Sequence, residues 1–206
     1  MDLTYLGHSC FKISGKKISI LTDPFSSSMV GIPLAKQEAD VVTVSHDHAD
    51  HNFLEAVKGE YLLFDAPGEY EYKETEFQGV AASHGNDRGK ITIFTMEVDD
   101  IKLCHLGDLG EDLNNDQLDK IDGVDVLMIP VGGEYTIDAK QAVKVISQIE
   151  PKIVIPMHYK VGKMDKLAPL TTFLHEIGAE PKPQDKLKIT AKDLPEEIEV
   201  VVLKTQ

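Results

Sequence analysis

The sequence is poor in cysteine and contains no long apolar run. Two cysteines, Cys10 and Cys104, among 206 residues cannot form the disulfide framework of a small secreted protein. Both lie in apolar runs, so we interpret them as buried strand residues. No stretch approaches the about 20 apolar residues that cross a bilayer, so we expect no membrane partner. The N-terminus, Met1-Asp2-Leu3-Thr4, lacks the basic and then apolar layout of a signal peptide, and we therefore expect a cytoplasmic protein.

Positive charge is also scarce. The chain has 35 acidic and 21 basic residues, a formal net charge of −14, and one arginine, Arg88. The lysines are dispersed, so no basic stripe is available for a polyanion. We expect a small-molecule substrate and no nucleic-acid partner. The oligomeric state stays open, with a homo-oligomer among the options.

The pattern of apolar residues predicts one α/β domain over residues 1–206. Short β-branched and apolar runs predict strands at 3–6, 10–13, 18–22, 41–44, 61–64, 77–82, 91–98, 101–106, 126–129, 152–155 and 198–203. One helix is predicted to begin at Asn52, where Asn52 and Glu55 match the pattern of a capping box, and to end at Gly59. Two further helices are predicted over 142–149 and 167–177. Asp99-Asp100 is typical of a hairpin turn.

The segment Ser45-His46-Asp47-His48-Ala49-Asp50-His51 carries the strongest chemical signal. Alternate side chains of an extended segment point the same way, so His46 and His48 can reach one ion. Asp50 and His51 lie where the chain turns toward the predicted helix, and they can face a second ion. Four ligands exceed the three that one catalytic ion needs, which favours two ions.

More ligands must come from other segments, and three further residues follow predicted strands. His84 follows the strand at 77–82, Asp108 the strand at 101–106, and His158 the strand at 152–155. The carboxyl ends of parallel strands meet at one sheet edge, where ligands collect. We therefore expect these side chains to lie beside the motif.

The order of these residues resembles that of the metallo-β-lactamase superfamily over nearly the whole chain. Tyr5-Leu6-Gly7-His8-Ser9-Cys10-Phe11 and Leu21-Thr22-Asp23-Pro24-Phe25 are similar to its compact bacterial and archaeal branch, which includes L-ascorbate-6-phosphate lactonase. The resemblance implies a four-layer αββα sandwich with a binuclear metal site at one sheet edge.

The resemblance also implies roles for individual residues. It implies His46, His48 and His84 on the first ion, Asp50, His51 and His158 on the second, and Asp108 as the bridge. Asp23 matches an aspartate that supports a ligand histidine. His8 belongs to the opening motif, and a pocket role and a structural hydrogen bond both stay open for it.

Imidazoles and carboxylates suit zinc, manganese or iron, and zinc is the ion we expect. A hydroxide between two ions would attack an ester or lactone bond, or else a phosphodiester, of a small substrate, and the charge of such a site admits an anionic one. Asp50 would pass a proton to the leaving group. Two alternatives stay open: an iron-dependent oxidoreductase acting on a thiol persulfide, and a metal-binding module without catalysis.

Overall fold

The computed structural model describes residues 1–85 and 88–206. The strands are β1 (Asp2–Gly7), β2 (Cys10–Ser14), β3 (Ser19–Thr22), β4 (Gln37–Glu38), β5 (Val41–Thr43), β6 (Val57–Lys58), β7 (Leu62–Phe64), β8 (Gly68–Tyr72), β9 (Thr75–Ser83), β10 (Lys90–Val98), β11 (Ile101–His105), β12 (Val126–Pro130), β13 (Ile153–Met157), β14 (Leu187–Lys188) and β15 (Glu199–Val200). The helices are α1 (Ser27–Val30), α2 (Asn115–Lys120), α3 (Ala139–Ile149) and α4 (Leu170–Ile177), with 3₁₀ turns at Leu54–Ala56 and Ala191–Asp193.

Two mixed sheets dominate the fold. The first has the strand order β14-β1-β2-β3-β5-β7, and the second has the order β15-β13-β12-β11-β10-β9-β8. β3, β5 and β7 are parallel to one another, and so are β11, β12, β13 and β15. β1 runs the same way as β3 because β2 is antiparallel to both, and β9 likewise runs with β11. In each sheet, most strands therefore have their carboxyl ends at the same edge.

The main core lies between the sheets. Leu3, Tyr5 and Phe11 of the first sheet and Phe94 of the second are at most 1% exposed and belong to one apolar cluster. All five residues of β12 and of β13 are buried, as expected for parallel strands that are covered on both faces. The shared apolar core holds the two sheets against each other.

Helices cover the outer faces. Asp138, the N-cap residue directly before α3, forms a capping box with Gln141, and α3 buries Ala142, Val145 and Ile146 at helical spacing. Val30 of α1 belongs to a second apolar cluster on the first sheet. The fold is therefore the predicted α/β sandwich. Among the described helices, none is long and apolar enough to cross a bilayer.

The predicted helix after Asn52 is wrong. The chain instead makes the single 3₁₀ turn Leu54–Ala56 and then the short strand β6, which pairs with β4. The amide of Asn52 donates to Asp47 at 2.9 Å and does not cap a helix, while the N–H of Phe53 donates to the carbonyl of Pro24 at 2.7 Å. These contacts with neighbouring segments satisfy the backbone without a longer helix.

Candidate metal centre

Every residue predicted for the site follows the carboxyl end of a strand. His8 follows β1, Asp23 follows β3, the segment 45–51 follows β5, His84 follows β9, Asp108 follows β11 and His158 follows β13. The first three segments belong to one sheet and the last three to the other. The site therefore forms where the ligand-bearing edges of the two sheets meet.

The first group of potential ligand atoms belongs to His46, His48 and His84, whose ligand atoms all lie within 4.8 Å of one another. Nε2 of His46 is 2.9 Å from Nδ1 of His48. The structure thus brings together the three imidazoles predicted for the first ion, although two of them come from one sheet and the third from the other.

The second group contains His8, Asp50, His51 and His158, again with ligand atoms within 4.8 Å of one another. His8 is completely buried, and its Nε2 lies 3.3 Å from Oδ2 of Asp50. The sequence left the role of His8 open between a pocket residue and a structural hydrogen bond. Its side chain faces the same space as the three residues predicted for the second ion.

The loops that carry His8 and His158 are tied together. The N–H of His158 donates to the carbonyl of His8 at 2.8 Å, and the hydroxyl of Tyr5 donates to the same carbonyl at 2.9 Å. Both histidines have positive φ, 55° for His8 and 51° for His158. Backbone strain of this kind persists where the surrounding structure fixes a functional geometry.

Asp108 lies between the two groups. Its Oδ2 is 3.5 Å from Nε2 of His84 and 3.2 Å from Nε2 of His158. Its Oδ1 is 3.2 Å from Nε2 of His51. One buried carboxylate therefore faces imidazoles of both groups, which is the position required of a residue that bridges two ions.

The donor set fits divalent ions. Oδ1 of Asp108 and Nε2 of His51 are 3.2 Å apart, yet both are buried and neither has a hydrogen-bond partner among the described residues. Such unpaired atoms are costly unless something binds them, and an ion between them would satisfy both. Imidazole nitrogens and carboxylate oxygens suit zinc, manganese and iron. No ligand group found in residues 1–85 and 88–206 contains a cysteine, unlike most closed structural zinc sites.

Asp23 orients two of the histidines. Its Oδ2 is 2.8 Å from Nδ1 of His51 and accepts a 2.6 Å hydrogen bond from the hydroxyl of Ser45. That hydroxyl oxygen also lies 2.9 Å from Nδ1 of His46. The carboxylate thus reaches one histidine directly and the other through a serine. The sequence analysis missed Ser45, although its position directly before His46 was a signal.

Burial lowers the pKa values of some histidines of the site, and neighbouring charges raise the pKa of another. Burial lowers the pKa of His46 to about 3, and burial with the nearby His158 lowers the pKa of His8 to about 4. Burial also disfavours the charged form of His51, but the nearby negative charges of Asp108 and Asp23 outweigh it and raise the pKa of His51. His8 and His46 are therefore neutral at pH 7, as metal-binding imidazoles must be.

The carboxylates stay ionised. Burial favours protonation of Asp108, but the charges of His158 and His51 hold its pKa well below the usual range. Burial opposes ionisation of Asp50 as well, and the hydrogen bond from His8 outweighs it and lowers the pKa. Fixed negative charge therefore lies between the two groups of imidazoles.

Two glycines allow the ligand segments to approach the rest of the chain. A Cβ on Gly110 would lie 1.9 Å from the carbonyl oxygen of His84, and one on Gly132 would lie 2.1 Å from that of His158. Real Cβ atoms do not come so close to a backbone atom. The sequence analysis missed both positions, since the contacts join distant segments.

The two cysteines and the other two histidines of the chain lie outside the ligand groups of the described residues. Cys10 and Cys104 are buried and free, in agreement with the prediction. His105 is buried in β11 with its Nε2 2.8 Å from the carbonyl of Ser9, and His175 is exposed on α4. Neither histidine belongs to a ligand group found in the described residues.

Comparisons with known proteins agree with this geometry. Residues 2–158 match the model of the β-lactamase superfamily domain. The chain is 30% identical over 194 residues to a UPF0173 metal-dependent hydrolase of Carboxydothermus hydrogenoformans, covering 77% of this chain and 84% of the relative. A relative of the same name from Thermococcus onnurineus is 31% identical over 193 residues, with the same coverage.

A solved structure is similar over nearly the whole length. A protein of Thermotoga maritima, described as a candidate Zn-dependent hydrolase of the metallo-β-lactamase superfamily, is 38% identical. It superimposes with a TM-score of 0.82 over 98% of this chain and 97% of that one. The chain therefore belongs to the metallo-β-lactamase superfamily and, within it, to the family of UPF0173 metal-dependent hydrolases.

Proposed function

We propose that this member of the metal-dependent hydrolases binds two divalent ions and cleaves an ester or lactone bond of a small anionic molecule, with a phosphodiester as the second choice. The position of Asp108 between the two ligand groups carries the proposal. Zinc is the ion we expect, with manganese and iron as the alternatives. When bound, the ions supply a water with a pKa of about 7 as the nucleophile and a Lewis acid for the substrate oxygen.

His46, His48 and His84 would hold one ion, and Asp50, His51 and His158 the other. The buried carboxylate of Asp108 would be shared, which sets the spacing of the pair. Asp23 holds His51 through Nδ1, so that its Nε2 faces Asp108. Because Ser45 and Asp23 contact Nδ1 of His46 and of His51, these two ligands need little rearrangement to bind ions.

Asp50 is the residue we propose for proton transfer to the leaving group. Its side chain is 19% exposed, whereas that of Asp108 is 3% exposed, so Asp50 is the carboxylate that a substrate can reach. The hydrogen bond from His8 fixes its orientation. Its lowered pKa keeps it ionised, and it would therefore carry a proton only transiently.

The charge of the site favours an anion. Among the proposed ligands, Asp50 and Asp108 bring two negative charges and a hydroxide would bring a third, whereas two divalent ions bring four positive charges. This local excess of positive charge opposes the repulsion from a chain with a net charge of −14. This excess supports a small anionic substrate.

The test combines elemental analysis with a substrate panel. Protein purified without added metal is analysed for zinc, manganese and iron, then assayed with lactones, phosphodiesters and thioesters. We expect two ions per chain and turnover of a lactone or ester. Asp108→Ala should lose both metal and turnover, whereas Asp119→Asn, an exposed aspartate on α2, should keep both. Iron with oxygen uptake would favour the oxidoreductase, and no turnover by metal-replete protein would favour a binding module.

A further inference from the structure

Arg88, the one arginine of the chain, lies at the proposed metal centre. Its Nε is 3.5 Å from Nε2 of His84, a residue of the first ligand group. Its guanidinium carbon is 4.6 Å from the centre of the Tyr135 ring, a distance typical of a cation–π contact. The residue itself is exposed. The guanidinium therefore lies at the nitrogen of His84 that faces Asp108, next to the proposed position of the first ion.

Tyr135 is fixed on the rim of the site. Its loop follows β12, between the segments that carry Asp108 and His158. The N–H of Ile137 donates to the carbonyl of Leu109 at 2.8 Å, and that of Ala168 donates to the carbonyl of Gly132, also at 2.8 Å. The half-buried tyrosine ring is thus a firm support for the guanidinium.

A second cation lies by the same ring. Nζ of Lys166 is 5.9 Å from the centre of the Tyr135 ring. It is also 4.0 Å from a carboxylate oxygen of Glu134, which neutralises part of its charge. Within the part of the chain that the structure describes, the ion pairs include Lys166 but not Arg88. Arg88 is therefore the stronger of the two anion-binding groups.

The location of Arg88 is electrostatically unfavourable unless an anion binds there. Like charges a few ångströms apart repel, so a guanidinium beside a centre that holds divalent ions opposes their binding. An anionic group between the guanidinium and the ions would remove this repulsion. The planar guanidinium can bind a carboxylate or a phosphate through two parallel hydrogen bonds.

We propose that Arg88, supported by Tyr135 and assisted by Lys166, binds an oxyanion of the substrate, a carboxylate or a phosphate, beside the bond that is cleaved. This inference deepens the proposed function and rests on it. It makes Arg88 a residue that determines specificity, and it selects substrates whose anionic group lies close to the ester or lactone.

Calorimetry with inorganic phosphate and with malonate tests this role without a known substrate. Zinc-loaded protein should bind at least one of them at millimolar concentration. Arg88→Gln should weaken that binding by about tenfold or more, Arg88→Lys should restore part of it, and Lys166→Gln should have a smaller effect. Lys192→Gln, a distant exposed lysine, has the same charge change and should leave the affinity unchanged. The anion with the larger dependence on Arg88 identifies the oxyanion.

Three results would overturn the proposal. The first is that wild-type protein binds neither anion. The second is that the Arg88→Gln and Lys192→Gln variants bind it equally well. The third is that Arg88→Gln loses zinc, because Arg88 would then act through His84. Failure of the hydrolysis panel with anion binding that still depends on Arg88 would contradict the proposed function alone.

Discussion

The imidazole of His51 lies between two carboxylates, with Nδ1 2.8 Å from Oδ2 of Asp23 and Nε2 3.2 Å from Oδ1 of Asp108. In the protein without metal, the two carboxylates raise the pKa of His51 because they favour a positive charge on its ring. A metal ion can take over the role of that proton. We therefore expect metal binding to release protons.

Asp23→Asn tests the support of His51. The amide cannot provide the same charged acceptor to Nδ1 of His51 and to the Ser45 hydroxyl. Loss of such a supporting contact typically costs about 10–100-fold in metal affinity. Competition with a chromophoric chelator measures the affinity.

Asp47→Asn is the matched control, because Asp47 is an exposed aspartate of the same motif. Its zinc affinity should equal that of the wild type. Equal zinc affinities for wild type, Asp23→Asn and Asp47→Asn would show that Asp23 does not support the ligand.

Gly132→Ala tests the close approach of the His158 loop. The added Cβ would lie 2.1 Å from the His158 carbonyl oxygen, so the two segments must separate. We expect unfolding free energy to fall by about 1–3 kcal/mol, as for other overpacking substitutions, together with weaker metal binding. Chemical denaturation and metal titration measure the two effects.

Gly123→Ala provides a comparison for Gly132→Ala. Nothing lies within 4 Å of the added Cβ, but its φ of +72° costs about 1 kcal/mol or more. Metal affinity should fall in Gly132→Ala and stay unchanged in Gly123→Ala. A Gly132→Ala variant with wild-type metal affinity would contradict a positioning role.

Acid should destabilise the metal-free protein. His8 and His46 have folded-state pKa values of about 4 and about 3, below their ordinary value of 6.5. The unfolded chain therefore binds more protons than the folded one below pH 6.5, and stability falls as the pH decreases from 6.5 toward 4. The raised pKa of His51 adds stability that is already fully present below pH 6.5, so it does not oppose this trend.

Urea denaturation of the metal-free protein at pH 6.5, 5.5 and 4.5 measures this loss. The double variant His8→Gln, His46→Gln should show a smaller dependence on pH, because it lacks two groups that charge on unfolding. A free energy of unfolding that is constant or rises between pH 6.5 and 4 would disagree with buried neutral imidazoles.

Much of the fold follows from local sequence patterns. Apolar runs identified β5, β10, β11, β12 and β13, because buried parallel or paired strands have few polar residues. The Asp99-Asp100 turn is confirmed, with φ values of 54° and 64°. The predicted strand at 198–203 shortens to β15, since its pairing with β13 covers only two residues.

Other elements depend on contacts that the sequence does not reveal. β8, Gly68–Tyr72, alternates glutamate and tyrosine and is stabilised by pairing with β9 and by Tyr70 stacking on Phe64 at 4.3 Å. α2 is short and buries no residue, so it lacks the apolar stripe that predicts a helix. The capping box of Asn114 and Gln117 is the sequence feature that indicates the start of α2.

The identity of the ligand residues could be predicted from the sequence, but their arrangement in space could not. Residues directly after strands share an edge, which is why His84, Asp108 and His158 could be associated with the motif. The position of His8 beside Asp50 depends on a positive φ at His8, and the contact of Gly132 joins two distant loops. Neither feature produces a local pattern in the sequence.

Anomalous diffraction from crystals of metal-loaded protein, recorded at the absorption edge of the bound metal, tests the central claim most directly. Two peaks per chain are predicted, one among His46, His48 and His84 and one among Asp50, His51 and His158, with the Asp108 carboxylate in contact with both. A single peak, or a pair of peaks that Asp108 does not touch, would contradict a binuclear centre bridged by this residue.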